Sequence, residues 1–472
     1  MLGIIGLILG TAVLAIGAYK GFKALPLAIG ASLVVAVTNG MNIWHAFGIN
    51  FMRGYGEAAL AGYVSFFMNF FLIFVFSALF AKIMEETGSA ISIGYKFIDW
   101  LGVKSAVLVV FVAGAVMTWG GISLFVVIFA LTPIIMVLFN EANIPRALAV
   151  GPVVAGTATF TMKSLPFSPQ ATNVAPTGFL GTDLAAAPVF GIISAILMFA
   201  GQYTYFKWEE KRLREKGESF DFIPGTDLSK YQVDRKDLPN AFLSFLPLIV
   251  VIGMISVMSW MQRQQEYRLD GTLNTLPEWI INFSWPVWSI VVTSMLAASI
   301  LAIIFNWDKI KTIERLKELI NMSGDSAITA IAAPAAVVGF GAVVAHTPAF
   351  QDILEWLLGM DMHPYLMAAF PPSIIAGITG SSSGGLLIAM NALAPYYNEL
   401  IDAGYATADM MHRVSATFAG TLDTLPHSPG LFLMFGYLGI THKEGYRYVW
   451  WGSVVIPTVI GIGMLTAVIL MS

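Results

Sequence analysis

AGTATFTMKSLPFSPQ at residues 155–170 and AGTLDTLPHSPG at residues 419–430 are two versions of one segment. Each opens on AGT and closes on LP(F/H)SP, and the two AGT triplets lie 264 residues apart. Each also sets polar groups and paired prolines inside an apolar run: Lys163, Pro166 and Pro169 in the first, Asp423, Pro426, His427 and Pro429 in the second. Proline inside a helix removes a backbone hydrogen bond and clashes with the preceding turn. Both segments therefore read as broken helices whose freed carbonyls and amides can bind an ion or an anion. A plain proline kink is the simpler reading of one such site; paired S-P motifs repeated in both halves favour the break.

The surrounding chain is a membrane protein by composition. Of 472 residues, 57% are hydrophobic and 11% charged, with a mean hydropathy of +0.76, far from the balance of a soluble domain. Ala58–Ala81, Leu184–Phe206, Phe242–Met261, Pro286–Phe305 and Tyr448–Met471 reach the roughly 20 residues needed to cross ~30 Å of hydrocarbon. The opening MLGIIGLILG has no Lys or Arg ahead of it and Lys20 and Lys23 behind it, which suggests a first transmembrane helix with its N-terminus outside rather than a cleavable signal. There is no cysteine, which excludes disulfides, thiolate metal sites and cysteine nucleophiles. No Walker-type phosphate loop, HExxH or GxSxG with plausible partners occurs, which weighs against an ATP-driven pump and a membrane hydrolase. No enzyme activity, cofactor, metal or nucleic-acid partner is expected.

The polar run 207–240 divides the chain into a first repeat, 1–206, and a second, 241–472, and is expected to be a cytoplasmic linker. Spans at about 3–19, 24–40 and 58–81 precede an amphipathic FIDWLG near 89–101. A hairpin over about 104–140 with TWGG between its arms, a broken helix over about 146–180 and a span at 184–206 follow. The second half repeats this order: 242–261, 286–305 and 324–345, the amphipathic ILEWLLG near 353–359, a hairpin over about 364–400 around TGSSSGG, a broken helix over about 412–440 and a span at 446–471. ALTP at 130–133 matches ALAP at 392–395, and Trp100 matches Trp356. If each hairpin enters and leaves on one side, each half crosses the membrane an odd number of times, so the halves are inverted. The expected cytoplasmic segments then hold 20 of the 25 Lys and Arg, as the positive-inside rule requires. The expected fold is all-α and polytopic: two inverted-topology repeats, each with three scaffold helices, an interfacial helix, a re-entrant hairpin, a broken helix and a final span. That arrangement is the signature of secondary transporters, whose sites lie near the midplane where helices break.

Three groups of residues carry the expected chemistry. At the hairpin tips, Ser123, Ser381, Ser382 and Ser383 offer hydroxyls beside glycines and new helix starts, which suit an anion; close helix packing is the alternative use of small residues there. At the breaks stand Ser164, Ser168, Thr172 and Asn173, and Thr424, His427 and Ser428. The third group is ionisable: Lys163 to attract a carboxylate, with Asp423 or His427 to carry a coupling proton. A structural Lys–Asp pair joining the halves is the competing reading. His412 and Arg413 are placed at a membrane surface, His45, His346, His363 and His442 at span ends, and 308–322 is read as a cytoplasmic surface helix.

At TWGGISLFVVIFALTPI, LPFSPQATNVAPTGFLGTDL, TGSSSGGLLIAMNALAP and PHSPGLFLMFGYLGITHKE the chain resembles the gluconate permease (GntP) family of the ion transporter superfamily, over most of its length. The resemblance implies proton-coupled symport of hydroxycarboxylates, a homodimer in a bacterial cytoplasmic (inner) membrane, and a transport domain moving elevator-like against a scaffold. The sugar-acid permeases it resembles carry histidine where Ser168 stands and an Asn-Asp pair where His427 and Ser428 stand. That departure, with Phe160, Phe167 and Phe179 nearby, suits a shorter acid such as 3-hydroxybutyrate or lactate better than gluconate. The expected activity is proton-driven symport of a small hydroxymonocarboxylate anion, with Na⁺ as the alternative coupling ion and a passive anion channel as the rival of another class.

Overall fold

The computed structural model of the chain describes residues 2–20, 22–52, 62–122, 124–221, 234–269, 285–352, 362–426 and 428–471, and among these it is all-helical. Three apolar helices, Leu2–Tyr19, Ala24–Thr38 and Tyr63–Glu86, open the first half. The third stops where Lys82 pairs with Glu85 and Glu86, charges that do not enter hydrocarbon. The amphipathic Ser89–Leu101 then buries Ala90, Ile93 and Phe97 and leaves Trp100 exposed. It meets the next helix at 109°, and Gly88 and Gly102, both at positive φ, make the two turns that an L side chain would strain. The chain therefore turns sharply between this amphipathic helix and the arm that follows.

The first hairpin is Ala106–Trp119 and Leu124–Glu141. The broken helix runs through Val150–Ala158 and Phe160–Lys163, leaves the helical path, and resumes at Ala171–Leu180 before the final helix Pro188–Glu215. The second half has the same element order: Ala241–Leu269, Val287–Phe305 and Ile313–Ala345; a hairpin of Pro364–Thr379 and Ser382–Asp402; a broken helix of Ala408–Phe418 and Pro429–Leu438; and a last run from His442 to Met471 through a π-turn at Trp450–Val455. The expected interfacial segment 353–359 lies outside the described residues.

Several boundaries differ from the expected ones. The expected surface helix 308–322 is not separate, because residues from Ile313 onward continue into the third span as one 33-residue helix. The final helix of the first half extends nine residues into the polar run, to Glu215, because Lys207–Glu210 and Arg214–Glu210 pairs clothe its outer turns. Ser382–Gly385 belong to the first turn of a helix rather than to a hairpin tip.

The halves are interlocked crosswise. Each broken helix packs its first arm on the first arm of its own hairpin, Val150–Ala158 on Ala106–Trp119 and Ala408–Phe418 on Pro364–Thr379. Each packs its second arm on the other half's hairpin: Ala171–Leu180 on Ser382–Asp402, and Pro429–Leu438 on Leu124–Glu141. Arg146, buried at the start of the first broken helix, donates to the Leu438 carbonyl at the end of the second (2.7 Å) and pairs with Asp221 (2.8 Å).

Glycine permits the closest approaches. A Cβ on Gly156 would lie 2.4 Å from the Phe111 carbonyl, and one on Gly385 would lie 2.3 Å from the backbone of Ala376 in the facing hairpin arm. Gly385→Val should therefore force the arms of the second hairpin apart and destabilise the purified protein by about 1–3 kcal/mol or more. Gly253→Ala, whose Cβ meets nothing within 4 Å, should leave the melting temperature unchanged; equal losses from the two in a thermal-shift assay would contradict this packing.

Candidate functional site

The two breaks meet at one ion pair. Lys163 Nζ stands 2.6 Å from Asp423 Oδ2, with the side chains 2% and 7% exposed. The residues are 260 positions apart, the offset that superimposes LPFSP on LPHSP, so each stands two residues before its LP(F/H)SP motif. A buried lone charge in a membrane costs at least about 2.5–3.5 kcal/mol on insertion scales, and each of these residues relieves the other. Gly420 makes the approach possible, since a Cβ there would lie 2.0 Å from Lys163 Cδ. The Ser382 hydroxyl stands beside the Asp423 carboxyl group, at the N-terminal turn of Ser382–Asp402, where the helix dipole favours negative charge.

Around the pair, side chains satisfy the carbonyls that the breaks release. Thr172 Oγ1 donates to the Met162 carbonyl (2.6 Å), and Asn173 Nδ2 to those of Ser168 (2.9 Å) and Leu184 (3.1 Å). Arg413, from the other half, donates to the carbonyls of Lys163 (3.3 Å), Leu184 (3.3 Å) and Ala186 (2.9 Å) and to Asn173 Oδ1 (2.8 Å). Trp119 Nε1 donates to the Pro166 carbonyl (3.0 Å), and His442 Nε2 donates to its counterpart on Pro426 (2.9 Å). Gln170 reaches the Thr118 carbonyl at the first hairpin tip, and Ser428 reaches that of Gly380 at the second. The sequence reading expected free backbone groups at the breaks; here many are already engaged, because backbone at membrane depth must be satisfied within the protein. Phe167 holds φ +64, a left-handed conformation unusual for a bulky residue, with its amide on the Leu184 carbonyl.

The expected site residues thus divide. Lys163, Asp423 and Ser382 come together. Ser164 lies close by, its hydroxyl 3.3 Å from that of Thr417, while Thr424 donates to Ser453 (2.8 Å). Ser168 is fully buried, and its hydroxyl has no hydrogen-bond partner among the described residues. Thr172, Asn173 and Ser428 are spent on backbone carbonyls, and Ser381 caps a helix by accepting from the Gly384 amide (3.2 Å), with Ser383 alongside. Phe160 packs against Phe111 and Phe199 in an aromatic core. Ser123 and His427 lie outside the described residues.

His412 and Arg413, expected at a membrane surface, have no exposed surface; His412 Nδ1 is 2.7 Å from Thr182 Oγ1. The helix Ala408–Phe418 carries both inward, against the turn that follows the first broken helix. Trp119, Gln170, Gly420 and Arg413 were missed as site residues, although the repeated AGT carried a signal for Gly420.

The whole chain, residues 1–472, matches the model of the GntP family permeases. The Bacillus subtilis (strain 168) uncharacterized transporter YxjC is 32% identical over 454 residues, covering 93% of each chain. The high-affinity gluconate transporter of Escherichia coli K12 is 25% identical over 456 residues, covering 92% of this chain and 90% of its own. Among solved structures, the Alcanivorax borkumensis YdaH transporter aligns with a TM-score of 0.55 and 14% identity over 85% of this chain and 86% of its own. Neisseria gonorrhoeae MtrF, of a class of antimetabolite efflux pumps, aligns with 0.53 and 14% over 98% and 93%. Those two establish likeness of fold. The chain belongs to the GntP permease family, and it is a multi-pass integral membrane transporter of the bacterial inner membrane.

The matching placement of Lys163 and Asp423 before the two LP(F/H)SP motifs makes a charge swap informative. Lys163→Asp or Asp423→Lys alone buries like charges together and should sharply reduce folded protein. The double variant restores one charge of each sign at the same two positions and should recover it. Detergent-solubilised yield and melting temperature check this; a double variant no better than the singles would mean that the two positions are not interchangeable.

Proposed function

We propose that this transporter is a proton-coupled symporter of a small hydroxymonocarboxylate, and that the buried Lys163–Asp423 pair is its coupling element. The observation that carries the reading is that the site's two opposite charges are buried and pair directly with each other. A substrate carboxylate that takes Lys163 must displace Asp423, and a bare Asp423 carboxylate would leave the site with a surplus negative charge. Protonation of Asp423 removes that charge. The two neutral states are then the empty ion pair and the complex of Lys163 with substrate carboxylate beside protonated Asp423. The substrate alone leaves the site negative and the proton alone leaves it positive, and burial disfavours both. Only the neutral forms cross readily, which couples one proton to one monocarboxylate.

Ser382, Ser164 and the unpartnered Ser168 hydroxyl supply donors and acceptors for the carboxylate and hydroxyl of such a substrate. The named gluconate-transporting relative supports a hydroxy acid, and the apolar residues Phe167 and Phe179 favour a short one such as 3-hydroxybutyrate or lactate. The engagement of so many released carbonyls favours a proton over Na⁺, which would need oxygen ligands. In this reading the halves are inverted repeats, the chain works as a homodimer, and the hairpins and broken helices move elevator-like against the remaining helices.

Proteoliposomes loaded at different internal pH and given labelled 3-hydroxybutyrate, lactate or gluconate test the reading. A pH gradient should drive accumulation, a Na⁺ gradient should not, and an imposed membrane potential should change the rate less than about two-fold because each crossing form is neutral. Asp423→Asn should bind substrate without a proton, retaining exchange while losing pH-driven accumulation. Accumulation driven by potential or by Na⁺, or full pH-driven accumulation by Asp423→Asn, would overturn it.

A further inference from the structure

We infer that Arg413 is the positioning residue of the transport site, setting Lys163 opposite Asp423 from the other half of the protein. This inference rests on the reading of the ion pair as the substrate site, and assigns Arg413 no contact with substrate. Its side chain is wholly buried, and its acceptors come from three separate places along the first half. These are the Lys163 carbonyl at the end of the first arm, the Asn173 side chain in the second arm, and the carbonyls of Leu184 and Ala186 in the turn beyond. Asn173 in turn ties Ser168 to Leu184, so the guanidinium reaches both sides of the interruption, directly at three carbonyls and through this amide at Ser168.

The placement is specific to arginine. A planar fork can serve several acceptors in fixed directions, while an ammonium is a point donor on a flexible stem. The closest wall is fitted to it as well: a Cβ on Gly191 would lie 2.2 Å from the Ser164 carbonyl and 3.3 Å from Arg413 Cδ. Arg413 sits on Ala408–Phe418, the arm that leads into the turn carrying Asp423. The same short stretch therefore presents the acid and fixes the height of the base. Loss of the fork leaves Lys163 chemically intact but badly aimed, which weakens its hold on a carboxylate more than it slows the movement of the domain.

Arg413→Lys, in proteoliposomes with pH-driven uptake, should raise KM for the transported hydroxy acid at least ten-fold while Vmax per folded transporter falls less than three-fold. Hydrogen exchange of the ligand-free protein in detergent gives a readout independent of any substrate: Arg413→Lys should speed exchange at residues 164–170 and 181–187 at least ten-fold and leave 192–206 unchanged. A fall in Vmax with unaltered KM, or unchanged exchange at 164–170, would overturn the assignment. Absence of hydroxy-acid uptake by the wild type, with localised exchange in Arg413→Lys, would refute the substrate reading and leave the positioning of Lys163 standing.

Discussion

Backbone that leaves the helical path inside a bilayer has no water to turn to, so its polar groups must find partners in the protein. Much of what is distinctive here follows from that constraint. The two breaks release carbonyls at Lys163, Pro166, Ser168 and Pro426, and Arg413, Trp119, Asn173 and His442 answer them. Several of these partners come from elsewhere in the chain, so satisfying a break also fastens it to another element. The interruptions are thereby junctions: they hold hairpin tips, the opposite half and the ion pair at one place.

The coarse architecture was readable because it rests on periodicities and punctuation that survive in a single sequence. Apolar stretches of membrane length, the amphipathic FIDWLG and the doubled S-P motif each have a local cause, and the helices begin and end near where those signals fall. Lys163 and Asp423 could be singled out because charge is rare at such positions. Their direct pairing was foreseeable only as one of two readings, since spacing alone does not tell which polar groups face each other.

What could not be read was mainly what depends on the third dimension. Arg413 follows His412 near the start of a predicted segment, a position that suits an interfacial cation, and nothing nearby in sequence announces acceptors more than 200 residues away. Thr172 and Asn173 are polar residues beside a break, yet they serve their own backbone. A polar side chain next to a helix break has two possible customers, a ligand or the broken backbone, and only geometry separates them. The long helix Ile313–Ala345 was split in the reading because its charged opening turns differ from its apolar remainder, although nothing in those residues interrupts a helix.

The position of the ion pair also constrains how such a chain could have arisen. Under the duplication read from the repeated segments, Lys163 and Asp423 occupy one ancestral position. An unduplicated half meeting an identical copy would have set lysine against lysine, or aspartate against aspartate, in a place that excludes water. A complementary pair became available only once the copies were separate stretches of one gene and free to diverge. Fusion in that history does more than join two halves: it is the event that lets a symmetric scaffold hold an asymmetric charge at its centre.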